Sequence, residues 1–191
     1  MKILLEENKH FNKIDYTVSF LPKGDYEFCT FANCDFSNSD LSGINFTECS
    51  FTECNLSMVK LKETSLRDIQ FKGCKMLGLQ FDHCNQFGLS FNFDNCNLSH
   101  SSFYHTRIKK TQFKNTQLQE VDFIDCDLNG SAFDDCNLTN AKFENSILDK
   151  CDFRSAYHYS IDPDKNLISK AKFSLIGVIG LLQKYDIEVD L

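Results

Sequence analysis

The sequence predicts an all-β fold, a parallel solenoid whose coils have four five-residue sides. Three regularities in the 191 residues carry that prediction. A large apolar residue recurs at every fifth position, a smaller residue stands two places before it, and every fourth large residue is phenylalanine. A spacing of five matches neither the strand period of about 2 nor the helix period of about 3.6, so no single standard element accounts for it.

The large residues run Phe31, Phe36, Leu41, Phe46, Phe51, Leu56, Leu61, Leu66, Phe71, Met76 and Phe81. After an interruption they resume as Leu98, Phe103, Ile108, Phe113, Leu118, Phe123, Leu128, Phe133, Leu138, Phe143, Leu148 and Phe153. Two residues earlier stands Cys, Ser, Thr, Val, Ile or Ala, and every cysteine in the chain occupies this smaller slot. Both positions are expected to face inward. Taken every 20 residues, one column reads Phe31, Phe51, Phe71, Phe91, Phe113, Phe133 and Phe153, extended by Phe11 and Phe173. This alignment puts a two-residue interruption after Phe91, so residues 92–95, "NFDN", are read as a bulge. Like stacks on like in such a column, and each coil buries its apolar side only against its neighbours. At about 4.8 Å per coil the rod spans on the order of 40 Å.

Residues 1–173 are read as the solenoid and residues 174–191 as a capping and dimerising end. At the N-terminus Phe11, Tyr16, Leu21 and Tyr26 keep the register, with Pro22 and Gly24 loosening the turn. At the C-terminus Ser174 is placed to cap a short α-helix over about residues 175–184, with Leu175, Val178, Ile179 and Leu182 on one face. Ile176 and Leu181 widen that face beyond what covering one coil requires, which predicts a homodimer through the C-terminal helix. The tail "DIEVDL" alternates Ile187, Val189 and Leu191 with acids, the pattern of a half-buried strand.

A net charge of -7, from 20 basic and 27 acidic residues, argues against a surface that neutralises phosphates, so no direct nucleic-acid binding is expected. The start "MKILLEENKHF" lacks the apolar run of an export signal and no later stretch has the length of a membrane span, so a cytoplasmic protein with no membrane contact is expected. In a reducing compartment the ten cysteines are expected to be free thiols. Cys-x4-Cys at 29/34 and 49/54, and His83 beside Cys84, raise a metal or thiol site. A zinc site needs four convergent ligands, whereas these thiols stand in slots that other repeats fill with Ser, Thr or Val, so packing is the expected role. With no nucleophile and base at a recognisable spacing and no phosphate loop, neither catalysis nor a cofactor is expected.

Charge is uneven along the chain. Between Thr111 and Phe153 lie Glu120, Asp122, Asp125, Asp127, Asp134, Asp135, Glu144, Asp149 and Asp152, against Lys114, Lys142 and Lys150. These acids are either solvated outward positions or a band that a basic partner surface recognises. A small basic cluster, Arg107, Lys109 and Lys110, precedes them. Outward apolar residues near the interruption, Leu77, Phe87, Phe93, Tyr104 and Ile124, are either a partner patch or residues that the bulge folds back to cover.

The segments "CDFSN SDLSG", "CNLSH SSFYH" and "CNLTN AKFEN" resemble the pentapeptide-repeat family, over roughly residues 11–173. The resemblance implies a right-handed quadrilateral parallel β-helix. The ending "SIDPDKNLISKAKFSLIGVIGLLQKYDIEV" is similar to the close of the quinolone-resistance and microcin-immunity members. Asp162 and Pro163 match the turn of those proteins, and Leu181 and Leu182 match their terminal helix. That resemblance implies an acidic dimeric rod mimicking DNA for a type II topoisomerase such as gyrase. The resistance proteins carry two projecting loops where this sequence has only its two-residue interruption. A general protein-binding scaffold is the competing function, and a thiol or metal enzyme the third.

Overall fold

A left-handed residue at nearly every fifth position turns this chain into a coil. Positive φ angles recur at Asn33 (53°), Asn38 (58°), Gly43 (72°), Glu48 (51°) and Glu53 (51°), and the series continues through Asn145 (53°) and Lys150 (60°). One such residue closes each side of the coil. Asparagine, aspartate and glycine are the residues that take this conformation at least cost, and they fill many of the corners.

The computed structural model describes residues 4–190. Its strands are β1 (Leu4–Glu7), β2 (His10–Asn12), β3 (Gly24–Glu27), β4 (Thr30–Ala32), β5 (Asn45–Thr47), β6 (Ser50–Thr52), β7 (Ser65–Arg67), β8 (Ile69–Lys72), β9 (Phe91–Asp94), β10 (Gln112–Lys114) and β11 (Ala132–Asp134). All strand pairs are parallel, in a four-stranded sheet β1-β3-β5-β7 and a seven-stranded sheet β11-β10-β9-β8-β6-β4-β2. Single parallel bridges, such as Asp35 with Asn55 and Asp122 with Lys142, build the other two sides. The fold is the right-handed quadrilateral parallel β-helix that the repeat implied. Strand β1 carries it N-terminal to Phe11, the first residue of the repeat column.

One ladder of aromatic rings runs the length of the rod. Phe11, Phe31, Phe51, Phe71, Phe93, Phe113, Phe133, Phe153 and Phe173 stack in succession, with neighbouring centroids 4.7 Å apart at the closest and 5.4 Å at the widest. A second ladder, Phe81, Phe103, Phe123 and Phe143, meets the first edge-on, as in Phe113 against Phe123 at 6.0 Å and 81°. Each buried phenylalanine contributes roughly 1.5–3 kcal/mol. Edge-to-face pairs add about 0.5–1.5 kcal/mol beyond burial.

The position of the interruption differs from the sequence reading. Phe93, not Phe91, pairs with both Phe71 and Phe113, while Phe91 lies opposite Ile69. The two extra residues therefore fall upstream, within residues 85–90, and 92–94 are ordinary strand. Phe91 and Phe93 are both buried because strand alternation puts residues two apart on one face. In the loop Leu89 returns to the core, while Gln86 Nε2 donates to the carbonyls of Cys84, Phe81 and Asp82 at 3.0, 3.3 and 3.4 Å. A side chain thus bonds the Cys84 and Asp82 carbonyls, which receive no backbone N–H among the described residues, and shares the Phe81 carbonyl with the Cys84 N–H.

The C-terminal end holds two short 3-10 turns, Gly177–Leu181 and Gln183–Tyr185, in place of the expected α-helix. Ile176, not Ser174, flanks the first turn, although the Ser174 Oγ accepts from the N–H of its first residue, Gly177, at 3.0 Å. The turns lie flat on Tyr159: a Cβ on Gly180 would stand 2.5 Å from the Tyr159 carbonyl oxygen, and one on Gly177 would collide with the Tyr159 hydroxyl. Close apposition to the last coil, anchored by Ile161 N–H to Gly180 carbonyl at 3.0 Å, replaces the regular helix. The tail forms no strand in the described residues, and Ile187 and Val189 are exposed; Leu191 lies outside them.

Candidate interaction surface

The outward positions of each repeat carry whatever the surface recognises, because the two inward ones are filled by the core. The nine acids of the C-terminal half are distributed over all four sides. Asp134, Asp135 and Asp152 flank the Phe133 and Phe153 side, Glu120 follows Leu118, Asp122, Asp125 and Glu144 flank Phe123 and Phe143, and Asp127 and Asp149 flank Leu128 and Leu148. They encircle the rod.

Several of these acids are already engaged. Asp127 pairs with Lys109 at 3.0 Å, Glu144 with Lys165 at 3.1 Å, and Glu120 with His100 at 3.3 Å. Asp152 pairs with Arg154 at 2.7 Å and Lys172 at 3.5 Å; the Arg154 hydrogen bond foremost holds its carboxyl below the ordinary range. Asp122 and Asp149 accept backbone N–H groups of Ile124 and Ser169, each at 2.8 Å. Among the described residues Asp125, Asp134 and Asp135 have no cation within 4.0 Å. A second acidic stripe, on the side built by β1, β3, β5 and β7, joins Asp25, Glu27, Glu48 and Asp68. Only Glu48 and Asp68 of these stand 20 residues apart, so the interval that aligns the phenylalanines does not reveal the stripe, and its one sequence signal is that all four flank the Tyr26, Phe46 and Leu66 column.

The apolar patch does not assemble. Phe93 is core, 1% exposed. Leu77 stands beside Met76, Tyr104 and Ile124 stand on the Phe103 and Phe123 side, and Phe87 rises from the loop on another side, its ring 5.5 Å from the Arg67 guanidinium. Only Tyr104 and Ile124 share a row, adjacent through the His105 N–H to Ile124 carbonyl bond of 3.0 Å. The basic cluster is partly neutralised, with Lys109 paired to Asp127 across a groove that His105, Arg107 and Asp125 also line.

At the C-terminal end Leu175, Ile176 and Val178 are exposed, at 89%, 69% and 38%, whereas Leu181 packs on the core and Ile179 and Leu182 are half-buried. The sequence assigned Leu175 and Val178 to the covering face. The flat turns present them outward.

All ten cysteines are buried and unpaired. Burial pushes the thiols of Cys126, Cys136 and Cys151 up to about 12, and that of Cys49 to about 11. Cys74 is raised by its neighbours Cys54 and then Cys96 in the stack, with burial adding to them. No group of three or more His, Cys, Asp or Glu among the described residues could hold a metal ion, and no helix there is long and apolar enough to cross a membrane.

The pentapeptide repeat region family matches residues 25–92 and 89–156. The chain belongs to the pentapeptide-repeat family. No curated protein sequence is significantly similar to this pentapeptide-repeat protein. Among solved structures it is similar to a trypsin-treated variant of QnrB1, a plasmid-mediated fluoroquinolone resistance protein, at 19% identity and a TM-score of 0.62, covering 100% of both chains. A second trypsin-treated QnrB1 variant gives 20% identity and 0.62 over 98% of each chain. HetL, a pentapeptide-repeat protein of heterocyst differentiation regulation from the cyanobacterium Nostoc, gives 15% identity and 0.50 over 88% of this chain and 84% of that one. At these identities the likeness is one of fold.

Proposed function

We propose that this protein is a non-catalytic cytoplasmic rod that dimerises through its C-terminal end and binds a type II topoisomerase, gyrase, as a mimic of DNA. The observation that carries the reading is a group of carboxylates without cationic partners among the described residues, Asp125, Asp134 and Asp135 together with Asp122 and Asp149, held on a backbone fixed by the coil. Fixed carboxylates attract a basic groove without first ordering a flexible chain, which favours both rate and specificity of encounter. The end-to-end likeness to a fluoroquinolone resistance protein supports the same partner. The exposed Leu175, Ile176 and Val178 support a second copy at the C-terminal end, where two acidic segments would meet.

The test is gyrase supercoiling with and without a fluoroquinolone. The pure protein is expected to inhibit supercoiling or relieve the drug, and Asp134→Lys with Asp135→Lys to weaken that effect by roughly tenfold or more, as loss of complementary charge does. No effect of the wild-type protein on gyrase from its own host would remove the proposal.

A further inference from the structure

Near the C-terminal end one rung of the coil is left unfilled. In the two preceding coils the N–H of Phe103 donates to the Asp122 carbonyl at 2.8 Å and that of Phe123 to the Lys142 carbonyl at 2.9 Å. The carbonyls of Ser101 and Val121 receive the N–H groups of Asp122 and Lys142, at 3.0 and 2.9 Å. One coil further these partners are missing. Among the described residues the Phe143 N–H meets no backbone carbonyl, and the Ala141 carbonyl receives no backbone N–H. The chain that should supply them departs from the repeat at Asp162 and Pro163, and the Asp162 carbonyl is taken by the Lys165 N–H at 3.2 Å and the Asn166 side chain at 2.9 Å.

Ala141 and Phe143 are only 6% and 4% exposed, so these are unpaired groups on well-buried residues, which folded chains rarely leave without a partner. Beside them opens a cleft of about 700 Å³ lined by Ile124, Ala141 and Phe143, by Lys142, Lys165 and Lys184, and by the carboxylates Glu144 and Asp162, which pair with Lys165 and Lys184. Lys142 has no carboxylate within 4.0 Å among the described residues.

We propose that the tail of a second copy, residues 186–190, lies in this cleft as an added strand and bonds to the Phe143 N–H and the Ala141 carbonyl. The tail's composition fits the site: Ile187 and Val189 alternate with Asp186, Glu188 and Asp190, so an extended segment turns its apolar residues to Ile124, Ala141 and Phe143 and its acids toward Lys142, the lysine of the cleft that has no carboxylate partner among the described residues. The tail does not occupy its own cleft, since residues 186–190 are exposed along their whole length. Two copies related by a two-fold axis exchange tails reciprocally, one contact made twice. This rests on the C-terminal dimer proposed above and adds to it the segment that closes the contact.

The test combines light scattering with amide exchange at Phe143 in the full chain. The wild-type dimer is expected to protect the Phe143 amide. An Ile187→Asp, Val189→Asp variant with unchanged circular dichroism is expected to exchange there about tenfold faster and to dissociate at higher concentration. A synthetic peptide of residues 185–190 added to that variant is expected to restore protection. A dimer in which the variant leaves Phe143 exchange unchanged overturns the tail exchange and spares the dimer. Protection that persists in a wild-type monomer and is lost in the variant assigns the cleft to the chain's own tail and overturns the second copy. A wild-type monomer without protection overturns both readings.

Discussion

The solenoid departs from its repeat at two places, and the two breaks are resolved differently. Within residues 85–90 the two extra residues sit between complete coils, so the core has to be refilled: Leu89 returns to it, Phe91 and Phe93 both enter it, and the Gln86 side chain bonds the Cys84, Phe81 and Asp82 carbonyls. Around Asp162 and Pro163 a single side near the end departs from the coil, while the next two keep the 20-residue register, Leu167 opposite Ile147 and Lys172 opposite Asp152, and there backbone groups stay unpaired beside an open cleft. A repeat heals an insertion when coils continue on both sides. At its end it can leave the defect open to a partner.

Phe93→Ala separates the healed break from the rest most sharply, because it removes the ring that joins Phe71 to Phe113 across the insertion. The expected loss is about 3–5 kcal/mol in urea unfolding, with the m-value unchanged if the coils on both sides unfold as one unit. A lower m-value would show that the insertion divides the rod into two cooperative parts.

Gly180→Ala tests the second break. A Cβ there meets the Tyr159 backbone, which cannot swing away as a side-chain end can, and a loss of roughly 1–3 kcal/mol is expected, read from thermal unfolding. Gly88→Ala in the first break meets nothing closer than Arg67 Nε at 3.4 Å, and only its positive φ of 71° resists the substitution. About 1 kcal/mol is expected there, and equal losses at the two glycines would erase the contrast between a packed end and an open loop.

The smallest effect is the pH response of the terminal turn. Lys184 bonds to Asp162 at 2.7 Å and also to Asp164. The Lys184 hydrogen bond foremost holds the Asp162 carboxyl below its ordinary value of 3.8. A depressed carboxylate contributes stability above that ordinary value and loses it as pH falls through the folded one. Amide exchange over residues 177–185, corrected for its intrinsic rate, should therefore be faster in Lys184→Met than in wild type at pH 7. The two should converge in acid, once pH has fallen below the depressed titration of that carboxylate. A difference that persists in acid would assign the lysine's effect to packing of its aliphatic stem.

The cysteines were legible from sequence because each stands in the small inward slot, and burial is the main cause of the raised thiols of Cys126, Cys136 and Cys151, with nearby carboxylates adding to it. The acidic residues were legible as a set but not in their pairings, since Lys109 with Asp127 and Lys165 with Glu144 join residues about one coil apart. The supposed apolar patch failed for a similar reason. Neighbourhood on a four-sided rod depends on which side a residue occupies, and Leu77, Phe87 and Tyr104 are on three different ones.

The periods of five and 20 determined the coil, its inward slots and its phenylalanine ladder, because a residue type that repeats at the coil length is stacked on itself by the chain's own geometry. The site of the two-residue insertion was decided only in three dimensions. Phe91 and Phe93 are the same residue two positions apart, both inward on a strand, and only the hydrogen-bond register distinguishes which of them joins the ladder. The end of the rod was decided there too. Its apolar residues were visible in sequence, but whether they cover the last coil or face outward depends on how closely Gly177 and Gly180 approach Tyr159, a contact between segments that the local pattern does not encode.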